Sequence, residues 1–415
     1  MTGDDAARCD VTHLFAKNIN KAALELRSAI SSAHHKRTMP SAPSPVHLWL
    51  RAETKRNERR TALTPAVTKT LIENGFQITV EKCTNRIFRD AEYSAAGATL
   101  AATGSWASAA PRDAFVIGLK ELPEEDTTSP LVHRHIMFAH CFKRQAGWQQ
   151  LLKRFDAGGG ELFDLEFLND ENGRRVAAFG YYAGYAGAAL GLDAWAHAAV
   201  NGAEASYPAV KPFERDEELL DHVKENLAKA EKHGAAPPSV MVMGAKGRCG
   251  SGATDLARRV GIPANRIIEW DMAETRSGGP FAEIARHEVF VNCIYLSTPI
   301  PPFLTRETLK DAGAERKLGV LVDVSCDTTN PHNPIPLYNV STTFHEPVLR
   351  VDIPGSTPLD VITIDHLPSL LPREASEMFC ADLLPSLLQL KQVDSARVWT
   401  DAGKLFREKL AEAKA

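Results

Sequence analysis

The chain has 415 residues, 44% hydrophobic and 24% charged, enough for one large core or two of ordinary size. Lys plus Arg total 48 against 52 Asp plus Glu, a net charge of -4, and no basic run marks a nucleic-acid or anionic-membrane surface, so neither partner is expected. No stretch supplies the roughly 20 apolar residues of a spanning helix, and seven cysteines without a CxxC pair argue for a reducing compartment and against a structural metal.

Residues 1–44 carry Lys17, Lys21, Arg27, Lys36 and Arg37 on a candidate amphipathic helix, followed by Pro40, Ser41, Pro43 and Ser44. They are expected to form a poorly ordered extension and linker. Asp4, Asp5 and Asp10 argue against a mitochondrial presequence, which is poor in acids. Ala413-Lys414-Ala415 lacks the terminal Leu of the Ser-Lys-Leu address, so the expected location is cytoplasmic, with the peroxisome as the alternative.

From Val46 onward, short apolar runs alternate with helical stretches, the pattern of an α/β protein with parallel strands. Strands are expected at 47–50, 77–80, 115–119 and 135–140, and a helix at 65–74, capped by Thr64 with Pro65 in its first position. The segment 51–65 gathers Arg51, Lys55, Arg59 and Arg60 around Glu53 and Glu58, which suits an anionic substrate or a solvated charged loop. Lys120 and His140 each close a strand, where a lysine with a lowered pKa or a histidine near neutrality can move protons. Glu166 and the pair Arg174-Arg175 raise the prospect of a second carboxylate subsite.

A helix over 176–200 carries Gly180, Gly184, Gly187 and Gly191 on one face, so it should run against another backbone and connect two halves. A charged helix follows at 216–233. Ser239 then opens a second strand set, whose first strand ends in Gly244-Ala-Lys-Gly247-Arg-Cys-Gly250-Ser-Gly252 before a helix at 253–260. Strand, glycine turn and helix N-terminus form a pyrophosphate cradle. The next strand, 266–270, ends in Asp271, 21 residues after Gly250, where a dinucleotide fold places the acid for the adenosine ribose. That carboxylate also repels a 2′-phosphate, favouring NAD. Strands at 289–296, 320–324 and 361–364 should line the cofactor cleft with residues 292–295, 323–327 and 365–367. In the usual 3-2-1-4-5-6 order, Cys249 and Cys293 fall close enough to bond or to stay as two buried thiols.

Arg51-Ala-Glu-Thr-Lys55 with Arg60-Thr-Ala-Leu-Thr-Pro65, Gly118-Leu-Lys120-Glu121, Phe138-Ala-His140-Cys-Phe-Lys143, Gly173-Arg-Arg-Val-Ala-Ala-Phe-Gly180 and Gly247-Arg-Cys-Gly-Ser-Gly-Ala253 resemble the alanine dehydrogenase and transhydrogenase superfamily. Asp327-Thr-Thr-Asn-Pro-His-Asn-Pro-Ile-Pro336 and Ile364-Asp-His-Leu-Pro-Ser-Leu-Leu-Pro-Arg-Glu-Ala-Ser376 are similar to its fungal branch, the NAD-dependent, L-lysine-forming saccharopine dehydrogenases. The acidic Asp-Gln-Gly-Gly loop of alanine dehydrogenases is missing near Asp327.

This resemblance implies two Rossmann-like domains with parallel sheets flanking a central cleft, joined by an inter-domain helix: 45–178 plus 373–415 on the substrate side, and 179–372 for NAD. It implies oxidation of saccharopine to L-lysine and 2-oxoglutarate, the last step of the α-aminoadipate route to lysine. Lys120 would accept the amine proton and His140 would serve imine hydrolysis. Lys55, Glu58, Arg60, Lys143, Gln145, Glu166, Arg174, Arg175 and Phe179 would line the substrate side. Gly247, Arg248, Asp271, Thr275, Tyr295, Asp365, His366 and Leu367 would face NAD or the domain junction. The resemblance further implies a Cys249–Cys293 disulfide and a monomer. The rivals are a related alanine- or opine-type dehydrogenase using the same Lys120 and His140, and an NAD-sensing protein, which would be expected to have lost one of them.

Overall fold

The structure, a computed structural model, describes residues 45–415 except 56, 124–126, 297, 327, 329–331 and 355. The expected extension and linker, and Asp327 with its neighbours, therefore lie outside the described residues. The chain forms two compact units, one running through Ala178 and resuming over Ser376–Ala415, the other Phe179–Ala375.

In the first unit, β1 (His47–Leu50), β2 (Gln77–Glu81), β3 (Thr99–Ala101), β4 (Phe115–Ile117), β5 (Arg134–Met137) and β6 (Glu161–Asp164) form a parallel sheet in the order β3-β2-β1-β4-β5-β6. The order reverses between β1 and β4, and open α/β sheets bind ligands beyond the carboxyl ends of strands at such a reversal. Helix α1 (Pro65–Glu73) follows β1; Thr64 Oγ1 accepts the Val67 N–H at 3.3 Å, Pro65 supplies the fixed φ of the first turn, and Val67 and Leu71 are buried. Helix α2 (Asp90–Ala95) precedes β3, and α3 (Trp148–Gly158) precedes β6. β3 and β6 were not among the expected strands, β3 being only three residues without an apolar run.

The second unit opens with α4 (Gly180–Asn201), α5 (Asp216–Lys232), β7 (Val240–Met243) and α6 (Arg248–Arg259). Its remaining strands are β8 (Ile267–Trp270), β9 (Val289–Asn292), β10 (Val320–Asp323), β11 (Leu349–Val351) and β12 (Leu359–Ile362), ordered β11-β12-β10-β9-β7-β8. All pairings are parallel except β11 with β12. This corrects the expected 3-2-1-4-5-6 order: β9, the third strand of the set, pairs with β7, and among the described residues no strand lies beyond β8. β11 adds an antiparallel edge on which Arg350 pairs with Asp360 at 3.1 Å.

α4 starts at Gly180, directly after the boundary between Ala178 and Phe179 where the chain passes from the first unit to the second. Its glycines do meet another backbone. A Cβ on Gly184 would collide with the carbonyl oxygen of Cys249, and one on Gly252 with that of Tyr181, so α4 and α6 pack main chain to main chain. Helix α7 (Pro372–Leu388) carries the chain out of this unit, and α8 (Arg397–Lys414) completes the first unit's core, with Trp399 5.3 Å from Phe163 and Phe406 5.8 Å from Phe155. Among the described residues no helix is long and apolar enough to cross a membrane.

Candidate active site

Lys120 and His140 stand three residues past the last paired residues of the adjacent strands β4 and β5. Both apolar runs leave their ladders earlier than expected, at Ile117 and Met137. His140 adopts a left-handed backbone conformation, φ 56° and ψ 0°, which costs a non-glycine residue about 1–3 kcal/mol and marks a site where surrounding contacts dictate the geometry. Its Nε2 lies 3.6 Å from Glu121 Oε1. Burial lowers the His140 pKa below the usual histidine value; Glu121 and Glu166 oppose this, while Lys120 and Lys143 add to it. A neutral imidazole ready to take a proton is the result.

Glu58 and Arg60 form a buried bidentate pair, Arg60 Nε to Oε1 at 2.8 Å and Nη2 to Oε2 at 2.7 Å. Burial alone would raise the Glu58 pKa, but the Arg60 charge and hydrogen bonds, with the Lys120 charge, outweigh it and hold the carboxyl below its ordinary value. Removing either partner would strand a buried charge at a cost of about 3–5 kcal/mol. Lys55 closes the turn before this pair, its carbonyl accepting the Glu58 N–H at 3.2 Å. Half-buried Glu166 receives Lys143 Nζ on Oε1 at 3.0 Å and Arg175 Nη1 on Oε2 at 2.8 Å. Gln145 is exposed just before α3, and Arg174 is exposed with its N–H on Asp170 Oδ1 at 2.8 Å. Phe179 is the N-cap residue of α4 and belongs to the second unit.

In the second unit Gly247 caps α6 and Arg248 begins it. Gly247, as a glycine, makes no side-chain cap hydrogen bond to this helix start, and a helix N-terminus that follows a glycine turn suits an anion. Gly244, at φ +83°, makes the turn, and a Cβ on Gly250 would strike the Gly244 carbonyl oxygen. Asp271 closes β8 and ties it to this turn: Oδ2 accepts the Lys246 N–H at 2.9 Å and Oδ1 the Met272 N–H at 2.8 Å. Those two N–H groups hold its carboxyl below the usual range. Thr275 donates Oγ1–H to the Asp271 carbonyl at 2.9 Å. A glycine turn with no room for a Cβ at Gly250, a helix that starts from it and an ionised acid at the next strand end fit a dinucleotide.

Tyr295, beyond β9, is 62% exposed. Asp365 is exposed past β12, and His366 meets Phe344 edge-on at 5.0 Å. Leu367 is buried in the core beneath them, leaving its main chain as the part able to meet a ligand. The implied Cys249–Cys293 bond is not formed in this structure, where both residues are thiols. They are nonetheless electrostatic neighbours, and burial, followed by Cys249 and Asp323, pushes the Cys293 thiol well up.

Residues 49–186 match the family described as alanine dehydrogenase/PNT, N-terminal domain. The chain is 56% identical over 363 residues to saccharopine dehydrogenase (NAD+, L-lysine-forming) of Yarrowia lipolytica, spanning 88% of this chain and 97% of that one. It belongs to the saccharopine dehydrogenase (NAD+, L-lysine-forming) family. The protein of that name from Schizosaccharomyces pombe is 55% identical over 362 residues, 87% of this chain and 97% of its own. A solved L-alanine dehydrogenase shares the fold with a TM-score of 0.60 at 15% identity, covering 88% of this chain and all of that one.

At the strand ends of this saccharopine dehydrogenase family member, sequence reasoning passed over Glu121 and Asp164 and left the place of Arg51 and Glu53 open. Glu121 adjoins Lys120 and faces His140; a second charge directly after a strand-ending lysine is the signal that marks it. Arg51 and Glu53 are buried beneath residues 118–121, although their segment reads either as a site for an anionic substrate or as a solvated loop. Asp164 ends β6, 2% exposed, with Oδ1 on the Glu166 N–H at 2.9 Å and Oδ2 buried without a partner. Burial pushes its pKa up to about 7 against the pull of the Glu166 and Ala139 N–H groups.

Proposed function

We propose that this chain catalyses the reversible, NAD-dependent oxidative deamination of saccharopine to L-lysine and 2-oxoglutarate, the reaction of lysine biosynthesis that its relatives' name implies. The observation that carries the reading is the placement of Lys120 and His140 at the carboxyl ends of neighbouring strands, with Glu121 beside His140. Two proton transfers at one carbon need two groups with separately set pKa values. NAD, when bound, supplies the acceptor for hydride from the carbon next to the secondary amine. Lys120 takes the amine proton. His140, kept neutral by burial, then takes a proton from the attacking water and returns it to the departing lysine amine.

Saccharopine carries three carboxylates and two amines. Arg60, Lys143, Arg174 and Arg175 suit the carboxylates, and Glu58 and Glu166 suit the amines and hold Arg60, Lys143 and Arg175 in place. Lys55, Gln145 and Phe179 complete the substrate residues. Gly247, Arg248, Asp271, Thr275, Tyr295, Asp365, His366 and the Leu367 main chain hold NAD. The cysteine pattern supports a cytoplasmic location, and Cys249 with Cys293 can form a disulfide on exposure to a thiol oxidant.

The test follows NADH absorbance at neutral pH with lysine and 2-oxoglutarate together, then with each omitted. Oxidation that needs both supports the reading. Oxidation with pyruvate and ammonia in their place moves the chain to the alanine-dehydrogenase chemistry of its superfamily, and no turnover with any pair ends the reading.

A further inference from the structure

Past Ile117 the chain leaves the sheet, and its backbone polar groups need new partners. Gly118 still donates to the Ile136 carbonyl at 3.0 Å, and the Leu119 carbonyl accepts from Phe138 N–H at 3.0 Å. The Leu119 and Lys120 N–H groups go to one carboxylate, Glu53 Oε1 at 2.5 Å and Oε2 at 3.1 Å. The Lys120 carbonyl accepts from Arg51 Nη2, which also lies 3.4 Å from the Glu121 carbonyl. Every main-chain polar group of Leu119 and Lys120 is thus held, three of the four by side chains from just beyond β1.

Arg51 and Glu53 are 1% and 4% exposed, with Arg51 Nη1 3.7 Å from Glu53 Oε2. Arg51 slides under the strand because residue 118 is glycine; a Cβ there would occupy the space of its guanidinium. A fully buried ion pair gains little net stability over apolar packing of the same volume, so stability does not account for two buried charges at this point. What they hold does.

We infer that Glu53, backed by Arg51, is a positioning residue for proton transfer: it clamps the main chain on which Lys120 stands, leaving only the lysine side chain free to move. The inference rests on the reading of Lys120 as the amine-proton acceptor. Because Phe138 N–H is tied to the Leu119 carbonyl, the clamp also sets the separation between the Lys120 segment and the His140 segment.

The experiment measures saccharopine oxidation by wild type, Glu53→Gln, Lys120→Met and the double variant. Glutamine presents an amide NH2 to one of the two N–H groups, so the clamp opens on one side. Glu53→Gln is expected to lower kcat by about 10²-fold while leaving the KM for NAD within about twofold. The double variant is expected to match Lys120→Met alone, since Glu53 acts through that lysine. An unchanged kcat in Glu53→Gln, or an equal further loss in the double variant, overturns the inference. If Glu53→Gln does not fold, Glu53→Asp replaces it, with about tenfold loss and the same non-additivity expected. If wild type does not turn over saccharopine, the functional reading has failed separately, and amide hydrogen exchange decides the clamp. Leu119 and Lys120 should then exchange slowly in wild type and quickly in the variant; equal rates overturn it.

Discussion

At the carboxyl ends of β1, β4 and β5 the first unit arranges its backbone with charged side chains: Glu53 and Arg51 on residues 119–121, and the buried pair Glu58–Arg60 beside Lys120. Beyond β7 the second unit does the reverse, stripping side chains away at Gly244, Gly247 and Gly250 where α6 begins. The difference suits the two tasks proposed for these units. Moving protons at one carbon requires ionisable groups held at set separations. Holding a pyrophosphate requires bare N–H dipoles and close approach.

The sharpest way to break this contrast is at Lys120. Lys120→Met should lower kcat by roughly 10³-fold without altering NAD affinity, checked by steady-state kinetics and NADH fluorescence titration. A loss of NAD affinity would show that the first unit's charges serve cofactor binding as well. In the second unit, Gly252→Val pushes a side chain into the Tyr181 carbonyl. It should destabilise the protein by about 3 kcal/mol, read by denaturant unfolding, with NAD binding lost before Lys120 chemistry is affected.

Asp271→Asn keeps the shape of the strand end but removes the charge. It should raise the KM for NAD about tenfold, the value of one charge-assisted hydrogen bond, and leave kcat at saturating NAD unchanged. The smallest expected effect concerns pH. The Asp164 pKa is raised to about 7 from its ordinary 3.8, so its contribution to stability is full below pH ~4 and lost as pH rises through about 7. Asp164→Asn should therefore melt higher than wild type at pH 8, by about 1–2 kcal/mol, with the difference gone at pH 4. An equal difference at both pH values would show that Asp164 does not titrate in this window.

Much of this arrangement was legible in the sequence, because apolar runs announce strands and the residue that ends a run faces the ligand side. The strand-end positions of Lys120, His140 and Asp271 were read in that way, as was the close approach of α4 to a second backbone. Arg51 and Glu53 were not, since their burial depends on Gly118, a residue distant in sequence whose missing Cβ makes room for the guanidinium. Asp164 hid within a strand without a clear run. β11 was passed over because Arg350, matched to Asp360, makes it polar. Proximity of Cys249 and Cys293 followed from β7 pairing with β9, but whether two neighbouring thiols are bonded is a matter of redox state and geometry, on which spacing is silent.

The first unit is discontinuous, and this orders events during synthesis. Its sheet is translated early, yet Trp399 and Phe406, which pack on Phe163 and Phe155, come from Ser376–Ala415. Until those residues leave the ribosome, the apolar side of α3 and β6 has no cover, while everything the second unit needs has already emerged. The unit carrying Lys120 and His140 is therefore the last whose residues are all synthesised, after those of the second unit.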